Sequence, residues 1–275
     1  MESLGSFRSL WAVESDRGHS HCTNEDAWLV THPDWRVRRR FARCPRAEPA
    51  SVLVSVADGI GGLTDGAEAS TRALRCIHSA VERMCGRSDR PIVAEHVLLA
   101  AFHRAHNELR DAGSRGDCGF AWGTTVTSLW LRGDAGFVAH VGDTRLFLLR
   151  TRSLRPITAD HSYAAWLRRR GQEVPADRKI EYEALLTRSV GSPEQLIPDF
   201  YRLAMQDGDR LALCSDGVSK VLSEKELCSI LTDEADPGAA ATQLISRARL
   251  RSVFDDATAV VVHWIRPERG VRKKR

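Results

Sequence analysis

Hydrophobic positions along this 275-residue chain follow two rhythms. Short runs rich in Val, Leu, Thr and aromatic residues, each bounded by Gly, Asp or Pro, predict strands near 10–15, 27–31, 51–57, 124–131, 135–141, 145–150, 198–204, 210–215 and 257–265. Apolar residues at three- and four-residue steps predict two long helices. Ala69, Ala73, Ile77, Val81 and Met84 mark the first, over 65–85; Val93, Val97, Ala101 and Ala105 mark the second, over 92–111, with Pro91 placed to begin it. Shorter helices are expected over 160–171, 223–232 and 237–250. Ser223 and Glu226 form a capping-box signature, and Pro237 suits a first helical position. Segment 173–187 reads as an irregular, charged insertion. Strands toward both ends with paired long helices between them predict an α+β sandwich rather than a βαβ alternation. No internal repeat or low-complexity linker divides the chain. One domain is therefore expected over 1–265, with a mobile subdomain about 160–190, a surface insertion about 32–50 and a basic tail at 266–275.

The strand ends carry the candidate chemistry. VLVSVADGIGG (52–62) contains Asp58-Gly59, and RLALCSDG (210–217) ends in Asp216-Gly217. Asp255 and Asp256 stand immediately before the β-branched run that follows them, and Glu25 and Asp26 before another apolar stretch. Carboxylates at the ends of separate strands can converge on one edge of a sheet. They repel unless protonated or neutralised, and an oxygen-only cluster suits Mg²⁺ or Mn²⁺. The pattern reads as a metal-dependent hydrolase. No Gly-Lys-Ser/Thr follows the GIGG run, which excludes a P-loop, and neither a G-x-S-x-G nor a Cys-x5-Arg motif is present.

Composition narrows the setting. Apolar content of 43% and charged content of 28% are those of a globular protein with a sizeable core. No apolar run reaches the roughly 18 residues that a membrane span needs, and the N-terminus lacks the pattern of a secretory leader. The seven cysteines show no CxxC spacing; Cys76, Cys214 and Cys228 sit in apolar patterns and read as small core residues in a reducing cytoplasm. The formal charge of +4 is unevenly spread. Segment 36–46 holds six arginines, and 266–275 holds six basic residues against one acid. Without them 28 basic residues face 35 acidic ones, a body of about −7 that agrees with a cation site. The basic stretches read as solvated loop and tail or as a dock for phosphorylated or acidic partners. With only Phe41 interleaved, they do not read as a nucleic-acid surface.

Taken together, RGHSHCTNEDA (17–27), ADGIGGLTDGAEAS (57–70), GTT (123–125), VGDTR (141–145), ITADHS (157–162), TRSVG (187–191), CSDGVS (214–219) and DDATAVVV (255–262) resemble, in order, the protein phosphatase 2C family of its compact bacterial type. The resemblance implies a central antiparallel β-sandwich flanked by pairs of helices, a four-layer α-β-β-α arrangement with a metal cleft at one end. It implies Asp58 as a carboxylate bridging two ions, with Gly59 offering its carbonyl. Asp216 and Asp255 complete the first ion's ligands, and Glu25 holds the second. Asp26 orients a water, and Asp143 is the ligand of a third, weaker ion beside Asp216. Two Mn²⁺ or Mg²⁺ ions would lower the pKa of a bridging water, and the hydroxide would attack phosphorus in line. Asp26, Asp58 and Asp216 are thus the expected catalytic group. His140, His161 and His263 read as local structure or surface, and Thr124 and Thr125 as packing behind the cleft.

The chain departs from the family in three places. His21 stands where an arginine usually binds substrate phosphate, which leaves His21 as the phosphate-binding candidate. The last acidic motif is Asp255-Asp256 instead of Asp-Asn, and the 32–50 insertion is long and basic. The expected function is a phosphoserine/phosphothreonine phosphatase, a cytoplasmic monomer that opposes a bacterial Ser/Thr kinase and binds neither nucleic acid nor membrane. The other class of function is a phosphatase-like module that binds a phosphorylated partner with little turnover.

Overall fold

The computed structural model describes residues 8–20, 22–31, 37–38, 48–49, 51–60, 65–86, 93–113 and 123–265. The elements run β1 (Arg8–Asp16), β2 (Asp26–Thr31), β3 (Val37–Arg38), β4 (Glu48–Pro49), β5 (Ser51–Ile60), α1 (Asp65–Gly86), α2 (Ala94–Gly113), β6 (Gly123–Arg132), β7 (Ala135–Val141), β8 (Arg145–Arg150), β9 (Ser153–Pro156) and α3 (Tyr163–Arg169). A 3₁₀ turn (Ala176–Arg178) leads into α4 (Lys179–Ala184), followed by β10 (Asp199–Ala204), β11 (Arg210–Cys214), α5 (Asp216–Ser219), α6 (Glu224–Asp233), α7 (Pro237–Arg249) and β12 (Ala257–Ile265).

The strands form two six-stranded sheets, ordered β4-β1-β12-β11-β8-β9 and β10-β7-β6-β5-β2-β3, with antiparallel pairing throughout. Alternation along β5 shows how the layers are specified. Val52, Val54 and Val56 enter the core between the sheets, with Val13, Leu129, Leu146, Leu213, Val260 and Trp264. Leu53 and Ala57 face the other way, into a core with Ile77, Leu98 and Phe102 of α1 and α2. The outer face of the first sheet packs Ala212 and Val261 against Leu227, Leu244 and Ile245 of α6 and α7. Helix, sheet, sheet, helix is therefore the layer order, in agreement with the expected sandwich.

The ends of the helices follow local chemistry. Ser223 and Glu226 exchange both capping-box hydrogen bonds at α6, and Asp236 caps α7 with Pro237 in its first turn. Segment 173–187 departs from expectation, because α4 and the 3₁₀ turn give it regular structure, held by the Arg168–Glu183 and Arg178–Glu181 ion pairs. The α3 helix starts three residues later than the sequence reading, at Tyr163, because the Ser162 hydroxyl accepts the Ala165 N–H as its cap. Cys214 is buried, while Cys76 and Cys228 are half-buried. Pro91, the 266–275 tail and most of the 32–50 insertion lie outside the described residues.

Candidate metal centre

Every acidic strand end identified in the sequence opens onto one end of the sandwich. Antiparallel register places Asp26, the first residue of β2, opposite Asp58, near the end of β5. Asp58 in turn pairs with Thr125 of β6. The Thr124 hydroxyl donates to the Asp58 carbonyl at 2.7 Å, and the Asp58 N–H donates to the Thr125 hydroxyl at 3.1 Å, so two buried threonines fix this strand end. From the other sheet, Asp216 opens α5 directly after β11, and Asp255 and Asp256 lead into β12. Asp143 lies in the tight turn from β7 to β8.

Ligand oxygens of Asp58, Asp143 and Asp216 all lie within 4.8 Å of one another. With Glu25, Gly59, Thr125 and Asp255 they line a cavity of about 550 Å³, closed on one side by Leu185, Leu186 and Ser189. A larger depression of about 850 Å³ between α1 and α2 mixes Arg83, His103 and Arg104 with Glu108 and Asp111 and has no comparable set of converging oxygens. Gly59 is where β5 meets α1, since a Cβ there would stand 2.1 Å from the Gly66 carbonyl oxygen. A Cβ on Gly66 would in turn meet the Glu25 carboxyl at 2.8 Å. These two glycines let the helix end press against the carboxylates.

Burial and mutual repulsion dominate the electrostatics. Desolvation, then the charges of Asp216, Asp26, Asp143 and Asp255, hold the Asp58 carboxyl well above its ordinary range. Asp26 is raised by burial, against a 2.7 Å hydrogen bond donated by the Ser215 hydroxyl. Asp143 is pushed up to about 6 and Asp255 to about 7, in both cases first by desolvation and then by Asp216. Asp216 runs the other way: burial raises it, but Lys220, with hydrogen bonds to Asp58 and Asp255, more than reverses this. Without cations, such a cluster packs only by retaining protons. The donor set is all oxygen, and the buried Oδ1 of Asp26 has no hydrogen-bond partner among the described residues. That chemistry fits hard divalent ions.

Two residues with clear parts in this geometry escaped the sequence reading. Lys220 follows Asp216 by one helical turn and donates to both Asp143 and Asp216; its i, i+4 spacing from Asp216 was the available signal. Asp256, noted only as added charge, accepts the Gly18 and Glu25 N–H groups, each at 2.7 Å, and so anchors the segment bearing Glu25. His161 is buried, not at the surface. Its Nδ1 accepts the Gly142 N–H at 3.1 Å and its Nε2 faces Asp199 at 3.2 Å, which steadies the turn holding Asp143. His140 and His263 are likewise buried. His21 lies outside the described residues; nearby, the exposed Arg17 donates to the Cys22 carbonyl at 2.6 Å.

A helix-flanked double sheet with carboxylates converging at one end defines a protein with a divalent-cation centre at the edge of its sandwich. Residues 41–255 match the protein phosphatase 2C family, and the chain belongs to that family. It is 28% identical over 215 residues to the protein phosphatase PhpP of Streptococcus pneumoniae, covering 76% of this chain and 85% of that one. It is 29% identical to PppA of Pseudomonas aeruginosa, described as a key regulatory component of T6SS, with a TM-score of 0.72 over 95% of this chain and 99% of that one. The catalytic domain of the serine/threonine phosphatase PstP in complex with two manganese ions shares the fold, with a TM-score of 0.75 at 24% identity over 94% of this chain and all of that one.

Proposed function

We propose that this chain removes phosphate from phosphoserine and phosphothreonine of protein substrates, as a cytoplasmic monomer that opposes a bacterial Ser/Thr kinase in a signalling or secretion circuit. It is a Mn²⁺/Mg²⁺-dependent enzyme, and its further assignments rest on the carboxylate cluster. Asp58, the Gly59 carbonyl, Asp216 and Asp255 would hold one ion, and Asp58 with Glu25 a second. Bound ions supply charge neutralisation for the phosphoryl group and lower the pKa of water at the site. Asp26, whose carboxylate accepts the Ser215 hydroxyl, would orient a water at the site. Leu185 and Leu186 line one side of the cleft. Neither nucleic acid nor membrane belongs to this reading, and among the described residues no helix is long and apolar enough to cross a membrane.

The observation that carries the reading is the approach of the Asp58 and Asp216 oxygens, with an Asp143 oxygen beside them, at one end of the sandwich. Hydrolysis of p-nitrophenyl phosphate and of a phosphothreonine peptide with and without Mn²⁺ tests it. Turnover that requires the cation and disappears in Asp58→Ala is expected. Ion binding without turnover would instead favour a module that holds a phosphorylated partner, the alternative raised by His21.

A further inference from the structure

We propose that Lys220 is a tethered cation that takes the place of the third, weaker metal ion, so that this phosphatase works with two ions only. The inference rests on the metal reading of the cluster above. It concerns the gap between Asp143 and Asp216, where the resemblance to the family leads one to expect that ion.

These two carboxylates approach from different elements. Asp143 sits in the turn between β7 and β8, and its side chain is only 5% exposed. Asp216 opens α5. Lys220 is the residue that ends α5, one turn beyond Asp216, so its side chain returns along the same face. Its Nζ donates to Asp143 Oδ2 at 2.5 Å and to Asp216 Oδ2 at 3.0 Å. A longer bond, 3.3 Å, reaches the Glu183 carbonyl at the end of α4. An ammonium has three donors, and here all three are engaged.

Buried carboxylates this close need a positive charge between them. A divalent ion normally provides it; here the chain does. Because the ammonium is carried by the same helical turn as Asp216, filling the gap requires no binding from solution. An ion entering the gap would have to expel the ammonium or stand against it at a separation where like charges repel strongly. The bond to Glu183 adds something an ion shared by Asp143 and Asp216 would not by itself supply, a link between the gap and the helix beside the cleft. Asp143 then acts as the lysine's counter-charge instead of as a metal ligand.

The test counts ions. Calorimetric titration, with electron paramagnetic resonance of free Mn²⁺ as a second count, is applied to the wild type, Lys220→Met, Asp143→Asn and the double variant. The wild type and Asp143→Asn should bind the same number of ions, with no further uptake into the millimolar range. Lys220→Met should gain one additional ion, at least about tenfold weaker than the others, and the double variant should lose it. Turnover of Lys220→Met should acquire a dependence on millimolar Mn²⁺ that the wild type lacks. An additional ion in the wild type that vanishes in Asp143→Asn would overturn the proposal; this comparison stands even if Lys220→Met fails to fold. An unchanged ion count in folded Lys220→Met would overturn it too. If that came with a raised KM alone, Lys220 would belong to substrate phosphate. A wild type that binds no ions would sink the metal reading beneath the proposal, a different result from either of these.

Discussion

Replacing Asp256 with asparagine should cost about 1–2 kcal/mol of stability, and replacing it with alanine about 3–5 kcal/mol. Asp256 is 3% exposed, and each of its carboxylate oxygens accepts one backbone N–H at 2.7 Å, from Gly18 and from Glu25. Asparagine has a single acceptor oxygen. Either way round, its amide N–H₂ faces one of the two N–H donors, and that donor is left buried without its partner. Losing one bond to a charged acceptor costs about 1.5–3 kcal/mol. Part of this is offset, because the Asp256 charge also raises the pKa of both Asp26 and Asp255, and that repulsion disappears. Alanine loses both acceptors. Urea unfolding of the three proteins at pH 7 with EDTA measures the differences, and Mn²⁺ titration should show weaker binding in both variants because Glu25 loses its anchor. If both variants unfolded within about 0.5 kcal/mol of the wild type, or if asparagine were stabilising, the anchoring argument would be wrong.

Three further outcomes are expected. Asp58→Asn should abolish turnover yet raise Tm in EDTA near pH 8, because burial and four neighbouring carboxylates disfavour its charge; Mn²⁺ should then stabilise the wild type more than the variant, and a lower Tm in EDTA would contradict the repulsion argument. His78 and His140, held neutral at about 3 by burial, have folded pKa values below the unfolded value of about 6.5. The stability they contribute is present above pH 6.5 and lost as pH falls toward 3, roughly 1.4 kcal/mol per histidine per pH unit, while the raised carboxylates of the cluster act in the opposite sense over the same range. A His78→Asn variant whose urea midpoint changed between pH 7 and pH 4 by the same amount as the wild type's would therefore refute it. Charge reversal at Arg168, Arg169 and Arg170, at the C-terminal end of α3, should raise KM for a phosphopeptide and spare p-nitrophenyl phosphate. Arg168 also pairs with Glu183 and Arg170 stacks on Trp166 at 4.2 Å, so Tm must be followed alongside, and equal effects on both substrates would indicate damage to the fold.

Much of this was legible in one dimension. The longer strands announced themselves by runs of Val, Leu, Thr or aromatic residues, and Asp58 and Asp216 by their place at the ends of two strands. Shorter pieces were not. The β9 strand, Ser-Leu-Arg-Pro, has too few residues for alternation to register and exists because β8 supplies its partner. The α4 helix is a single charged turn and a half, held by ion pairs and by the edge-on ring contact of Tyr182 with Tyr163. Asp256 looked like surplus charge because its partners, Gly18 and Glu25, lie 238 and 231 positions away. Lys220 was readable in principle, as one turn from Asp216, but its second partner Asp143 is 77 residues distant and visible only once the sheets are packed. Local patterns disclosed where the carboxylates stand, and only tertiary structure disclosed what balances them.

The position of β12 has a consequence for how the protein is made. This strand lies between β1 and β11, so the earliest strand described and one made some 200 residues later are neighbours only through it. It also carries Asp255 and Asp256 at its entrance. A chain that ends within α7 lacks β12, which leaves the first sheet in two unzipped halves and the cluster without Asp255 and Asp256. Contacts of such long range make for slow closure. A chain halted before Ala257 would leave β1 and β11 with bare edges, the kind that recruit other chains. Nascent and truncated forms should therefore lack the dephosphorylating activity by topology alone, with no inhibitor needed to keep a half-made enzyme silent.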